Sequence, residues 1–150
     1  MRITTKVRYG LRALLQIAVT YDGSPIPLSA IAESQEISRK YLEQLVASLR
    51  KADLIGSRKG VHGGYFLTKK PVDISLWDVF CTLEGCTPLV ECIPNPETCT
   101  RSGFCTTRGI WDLLDQKLKE FWESFTLQDL IDRLPEIEKN LDEHKKLPQI

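Results

Sequence analysis

At 150 residues the chain is about one domain long and can bury a core of its own. With 42% hydrophobic and 27% charged residues and no low-complexity tract, the composition is that of a globular protein. No apolar run approaches the ~18 residues that cross a bilayer, and the basic start lacks the apolar core of a secretory signal, so no membrane partner and a cytoplasmic location are expected. The formal net charge of zero hides an asymmetry: residues 1–70 carry 12 Lys/Arg against 5 Asp/Glu, and residues 71–150 carry 8 against 15. The first half suits a polyanion and the second does not.

Residues 6–20 read as a first helix, with Val7, Leu11, Leu14, Leu15 and Ala18 at three- and four-residue steps. The turn residues from Asp22 to Pro27 follow it. Ser29 is the expected cap of a short second helix from Ala30 to about Gln35, with Ile31 and Ala32 facing inward. After a turn at Glu36-Ile-Ser, Ser38 is placed to cap a third helix from Arg39 to about Ala52, with Tyr41, Leu42, Leu45, Val46 and Leu49 as its apolar stripe. Two short helices joined by a tight turn, the second presenting Arg39, Lys40, Glu43, Gln44 and Arg50, form the helix-turn-helix pattern. Polar side chains at the start of such a helix meet base edges, and basic ones meet phosphate.

Leu54–Ser57 and Tyr65–Leu67 are expected to pair as a hairpin, with Gly60, Gly63 and Gly64 in the turn and Arg58, Lys59 and His62 at the tip. A basic hairpin directly after a recognition helix is the wing of a winged helix. A nucleotide-phosphate loop is excluded, because no Gly-x-Gly-x-x-Gly or Walker-type Lys-Ser/Thr accompanies these glycines. Ser75 is placed to cap a fourth helix from Leu76 to about Leu83, which contains Trp77, Phe80 and Cys81. From about Thr107 a long helix is expected, its stripe of Ile110, Leu114, Leu118, Phe121 and Phe125 widened by Trp111, Leu113 and Trp122. That much apolar surface exceeds what a small domain covers, which points to a dimerisation helix. Thr126 with Asp129 marks the start of a last helix over Leu127–Leu134, and Pro135 follows. The expected fold is thus mainly α with a small β-hairpin: a winged helix-turn-helix domain over 1–75, a cysteine loop and dimerisation helix over 76–134, and a flexible tail over 135–150.

Between these helices three of the five cysteines, Cys92, Cys99 and Cys105, fall in a segment that Pro94 and Pro96 bar from regular structure. Three thiols on one loop suit a soft metal or an iron–sulfur cluster. A disulfide with a spare thiol, a thiol switch between Cys81 and Cys86, and structural zinc are the alternatives, although the C-x6-C-x5-C spacing lacks the close pairs of zinc knuckles. An electron-transfer protein is the rival from another class, but no catalytic acid–base pair accompanies the thiols: His62 belongs to the wing and His144 to the tail.

The segments Met1-Arg-Ile-Thr-Thr-Lys-Val-Arg-Tyr-Gly-Leu-Arg-Ala-Leu, Ile37-Ser-Arg-Lys-Tyr-Leu-Glu-Gln-Leu, Leu49-Arg-Lys-Ala-Asp-Leu-Ile and Gly60-Val-His-Gly-Gly-Tyr resemble the winged-helix regulators that include IscR, NsrR, RirA and CymR. The three-cysteine loop, Ile110-Trp-Asp-Leu-Leu and Thr126-Leu-Gln-Asp-Leu extend the likeness to about residue 134. The resemblance implies a homodimer on two-fold-symmetric promoter DNA and no enzymatic activity. It implies a 2Fe–2S or 4Fe–4S cluster on Cys92, Cys99 and Cys105 that senses iron, redox state or cluster supply. CymR-like members lack these cysteines and act through other signals. The DNA-facing positions it implies are Tyr9, Ser38, Lys40, Tyr41, Glu43, Gln44, Arg50, Arg58, Lys59 and Gly60. Where IscR-like members have a histidine as fourth ligand, this chain has Arg108, which cannot ligate iron. Where NsrR-like members have an aspartate it reads Lys6-Val-Arg8, and no carboxylate precedes Asp22. Cys86, Glu91, Glu97, a solution ligand or a partner residue are left for the fourth position. Three thiolates and an open site favour a labile 4Fe–4S cluster over a 2Fe–2S one.

Overall fold

The computed structural model describes residues 3–19 and 23–133. Helix α1, Thr5–Val19, buries Val7, Gly10, Ala13, Leu14, Ile17 and Ala18. Its inward face is therefore turned from the expected stripe, and Leu11 and Leu15 sit half-buried at the margin. The reason is a close approach: a Cβ on Gly10 would stand 2.4 Å from Cδ1 of Leu83, so α1 meets a later helix at its smallest residue. The expected end of this helix at Thr20 and the turn at Asp22 lie outside the described residues.

Helix α2, Leu28–Gln35, begins two residues earlier than expected. Its cap is Pro27 rather than Ser29, which lies inside the helix; the Pro27 carbonyl accepts from the N–H groups of Ala30 and Ile31. Proline's fixed φ already suits a helix entry, so no side-chain cap is required. Glu36 then adopts the left-handed conformation, φ 53°, and turns the chain into α3, Arg39–Lys51. Here the sequence expectation holds: Ser38 caps α3, its hydroxyl accepting from the Tyr41 N–H, and Leu42, Leu45, Val46 and Leu49 are buried.

Strands β1, Ile55–Arg58, and β2, Gly64–Leu67, pair antiparallel, with Arg58 opposite Gly64 and Ile55 opposite Leu67. Gly64 therefore belongs to the strand and not to the turn. Ile26 adds a short third rung, exchanging two backbone hydrogen bonds with Tyr65 at 2.9 and 2.8 Å. The hairpin thus leans on the segment that leads into α2.

Helix α4, Leu76–Glu84, is capped by the Ser75 hydroxyl, which accepts from the Asp78 N–H at 3.0 Å. A loop leads to α5, Arg108–Glu123, which has no buried residue. The chain then comes back. Ser75 and Thr126 form a β-bridge, the Leu127 N–H donates to the Ile74 carbonyl, and fully buried Leu127 joins the core contributed by α1–α4 and the hairpin. A last helical segment, α6, starts at Leu127 and continues through Arg133, the end of the described residues. The expected helix end at Leu134, Pro135 and the 135–150 tail lie outside them.

The start of α6 carries a titration signature. The Asp129 carboxylate accepts from both the N–H and the hydroxyl of Thr126 at 2.7 Å, and these bonds hold its pKa below the ordinary carboxylate value. A lowered folded pKa contributes stability above the unfolded value and loses it as pH falls through the folded one. Asp129→Asn should therefore unfold at lower urea than the parent at pH 7. The gap should shrink as both are acidified below about pH 4, the ordinary carboxylate range.

Candidate nucleic-acid interface and cysteine loop

The first turns of α3 project Ser38, Arg39, Lys40, Glu43 and Gln44 into solvent, directly opposite the buried Leu42, Leu45, Val46 and Leu49. Tyr41 is half-buried against Tyr9, edge to face with ring centroids 6.1 Å apart. Tyr9 also lies under the guanidinium of Arg12, 5.4 Å from its centroid, and Arg12 ties α1 to α2 through the Gln35 side chain at 3.1 Å and the Gln35 carbonyl. Tyr9 is remote in sequence from α3, and this stack places it beside the exposed face. Arg12 and Gln35 were not among the expected site residues; they set that stack and brace the helix that supports α3.

At the far end of α3, Arg50 reaches Ser57 on β1 at 3.5 Å, linking the helix to the hairpin. Arg58 folds back over the Phe66 ring at 5.8 Å, while Lys59, Gly60, Val61 and His62 stand exposed at the tip. Gly60 has φ 114°, a conformation that favours glycine, and its carbonyl accepts from the Gly63 N–H to close the turn. Glu43 is not a free carboxylate: Arg39 lies 3.3 Å from it on the next turn, both side chains open to water. An exposed pair of this kind contributes little to stability, so both groups remain available to a ligand.

The loop after α4 holds the remaining chemistry. Cys81 and Cys86 are joined as a disulfide, whereas Cys92, Cys99 and Cys105 are free and half-buried. Cys86, an expected candidate fourth ligand, is thus bonded elsewhere in this structure. Glu91, another candidate, accepts a hydrogen bond from Asn95 at 2.6 Å. Arg108 stands where IscR-like chains have a ligand, and it acts as a clamp: its guanidinium donates to the carbonyls of Cys92 and Ile93 at 3.1 and 3.2 Å. One end of the loop is so fixed to the first turn of α5. Asp115 adds a second tie, accepting from the Leu89 N–H at 3.1 Å. The Cys105 thiol is pushed below its usual pKa, chiefly by the Thr107 hydroxyl 3.3 Å away and then by the Arg108 backbone N–H.

The donor set fits a soft metal or cluster, being three free thiols on one loop. Among the described residues, however, no three cysteine, histidine or carboxylate side chains are close enough to hold an ion.

A capped recognition helix, a supporting helix before it and a basic hairpin after it define a winged-helix DNA-binding protein. No helix among the described residues is long and apolar enough to cross a membrane. The model of the Rrf2 family, described as an iron-dependent transcriptional regulator, matches residues 3–133. The protein rrf2 of Nitratidesulfovibrio vulgaris (strain Hildenborough) is 43% identical over 131 residues, covering 87% of each chain. Among solved structures, CymR, the global cysteine regulator of B. subtilis, superposes with a TM-score of 0.72 at 35% identity over 87% of this chain and 95% of its own. IscR of T. potens gives a TM-score of 0.72 at 31% identity, over 100% of this chain and 94% of its own. The chain belongs to the Rrf2 family: it is a DNA-binding transcriptional regulator and not an enzyme.

Proposed function

We propose that this chain is a cytoplasmic, homodimeric regulator whose operator affinity is set by an iron–sulfur cluster on Cys92, Cys99 and Cys105. The observation that carries the reading is that these three thiols stay free on one loop while the other two cysteines are bonded to each other. In this reading 1–75 is the DNA-reading unit and 76–134 the sensing and dimerising unit. Cys92, Cys99 and Cys105 would hold the cluster, which would supply iron–thiolate bonds linking the three side chains. This chain's own residues transmit that linkage: Arg108 and Asp115 tie the loop to α5, and the stacked rings of Phe80 and Trp122, 5.4 Å apart, tie α5 to α4. A movement of α5 changes the spacing of the two recognition helices, which must sit ~34–36 Å apart to enter successive major grooves.

Anaerobic purification with iron and sulfide analysis tests the reading. Parent protein should be coloured and Cys92/Cys99/Cys105→Ala colourless, with a shifted operator affinity in gel-shift assays. Identical affinity in the two proteins overturns cluster control. Three thiolates with the fourth position open would favour a 4Fe–4S over a 2Fe–2S cluster, and Mössbauer spectra with only a 2Fe–2S signal overturn that assignment. A cluster-free regulator responding through thiols is the second reading, favoured by the Cys81–Cys86 bond and the likeness to CymR; a colourless anaerobic preparation supports it.

On DNA, Tyr9, Ser38, Arg39, Lys40, Tyr41, Gln44, Arg50, Arg58, Lys59 and Gly60 contact the duplex, and Glu43 accepts from cytosine N4. Glu43→Ala removes that acceptor and releases Arg39 toward phosphate. Discrimination at one base pair should fall by ~1–3 kcal/mol, while binding to unrelated DNA tightens and its salt dependence steepens by about one ion. Fluorescence anisotropy across a salt series reads both changes.

A further inference from the structure

We propose that Cys81 and Cys86 form a reversible dithiol–disulfide pair, a redox site separate from the three-thiol loop, which latches the start of that loop to α4 when a hydroperoxide oxidises it. The two Cα atoms are 4.6 Å apart and the pair is five positions apart in sequence. That spacing lies inside the range a disulfide spans without moving the backbone. The fold supplies it: the Cys81 carbonyl accepts from the Gly85 N–H at 2.9 Å, and Gly85, at φ 91°, reverses the chain so that Cys86 returns to the last turn of α4.

The bond's position speaks against a purely structural staple. It closes a very short ring, and the constraint a disulfide places on the unfolded chain is least for short loops. Neither sulfur belongs to the core: Cys86 is exposed, and Cys81 is half-buried and lines an open cavity of about 400 Å³ with Lys69 and Asp78. Both are therefore within reach of a small oxidant and of a reductant.

The two ends of the latch differ in rigidity. Cys81 rides on α4, which is fixed by buried Val79 and Leu83, the latter packed on Gly10 of α1. Cys86 opens the loop, whose next described side-chain tie is the Leu89–Asp115 hydrogen bond. Closing the bond holds residue 86 against α4 and shortens the unsupported span before that tie. Opening it frees the span.

The chemistry balances with peroxide as the named oxidant. The exposed Cys86 thiolate attacks one peroxide oxygen, forming a sulfenic acid and releasing hydroxide. The Cys81 thiol then attacks the sulfenic sulfur, its proton leaving with the sulfenic hydroxyl as water, and the proton that Cys86 lost on ionising turns the hydroxide into the second water. Two thiols are oxidised by two electrons, and one peroxide is reduced to two waters. A dithiol reductant reverses the change by exchange. None of this uses Cys92, Cys99 or Cys105.

The test uses the full chain, and also the Cys92/Cys99/Cys105→Ser variant, in which no cluster can form. After stoichiometric hydrogen peroxide, denaturation and alkylation, that variant should show no free thiol and a Cys81–Cys86-linked peptide. After dithiothreitol it should show two free thiols. Amide hydrogen exchange over residues 86–90 should be about five-fold slower in the oxidised form, as expected where a local opening precedes exchange, and unchanged across α3. Cys81→Ser should abolish the difference. Two free thiols after peroxide, or equal exchange in the two redox states, overturns the proposal. A result confined to the full chain with its loop thiols overturns the separateness of the site. Because the variant carries no ligand thiols, failure of the cluster reading leaves every one of these outcomes readable.

Discussion

Ile110→Asp combined with Leu114→Asp should convert the proposed homodimer into a monomer and weaken operator binding by ~10²–10⁴-fold, without unfolding the chain. The argument begins from the pattern on α5. Ile110, Leu114 and Phe121 recur along one line of the helix and are 55%, 43% and 57% exposed, with Leu113 beside them at 49%. The opposite side is where α5 meets the rest of the molecule, through Trp122 on Phe80 and through Asp115. Phe121 packs on Phe125, 5.2 Å between ring centroids, but Ile110 and Leu114 have no such ring contact, so charge placed at these two positions leaves the core intact. A contiguous apolar face of this kind marks an interaction surface. In the proposed homodimer a second copy covers this face, because linking two half-site readers makes the second binding event intramolecular. Light scattering reads the oligomeric state, circular dichroism the fold, and anisotropy the affinity. A double variant that remains dimeric removes α5 from the interface.

The parts of this molecule that were legible in the sequence are those whose causes are local. The α3 stripe and the Ser38 cap follow from helical spacing and from one hydroxyl at the right offset, and so does the Thr126–Asp129 start of α6. Other features depend on partners far along the chain. Gly10 is small because Leu83 approaches it, and Leu127 is buried because its helix returns to the core formed by α1–α4 and the hairpin. Pro25-Ile-Pro reads as a turn, yet Ile26 pairs with Tyr65; neither proline is asked for a donor there, since the bonds run from and to Ile26 alone. In the cysteine loop, spacing picked out three thiols but left the pairing of Cys81 with Cys86 open. It also saw Arg108 only as a missing ligand, because a guanidinium that clamps two carbonyls leaves no pattern in sequence.

Two glycines of the same hairpin make the sharpest stability contrast. Gly64→Ala should destabilise the protein by ~3–5 kcal/mol, combining overpacking with the loss of strained or broken backbone hydrogen bonds. A Cβ at Gly64 would stand 2.2 Å from the Ile26 carbonyl oxygen, 2.3 Å from its carbon and 2.7 Å from the Pro27 nitrogen. All three are backbone atoms, so no side-chain rotation relieves the contact. Either the Ile26–Tyr65 rung opens or β2 shifts away from β1, and both outcomes detach the wing from the segment that enters α2. At Gly60 the space around a Cβ is empty, and only the φ of 114° opposes a side chain. Gly60→Ala should therefore cost only ~1–2 kcal/mol, the strain of a side chain in a left-handed conformation. Urea denaturation of the two variants separates clash from strain. Equal midpoints would mean that Ile26 does not hold the hairpin. The same comparison reaches function, since the wing's angle to α3 is set by the Ile26 rung at one end and by Arg50 on Ser57 at the other. Gly64→Ala should consequently lose operator affinity even at temperatures where it remains folded, whereas Gly60→Ala, with the rung intact, should lose only what its own contact with the duplex supplies.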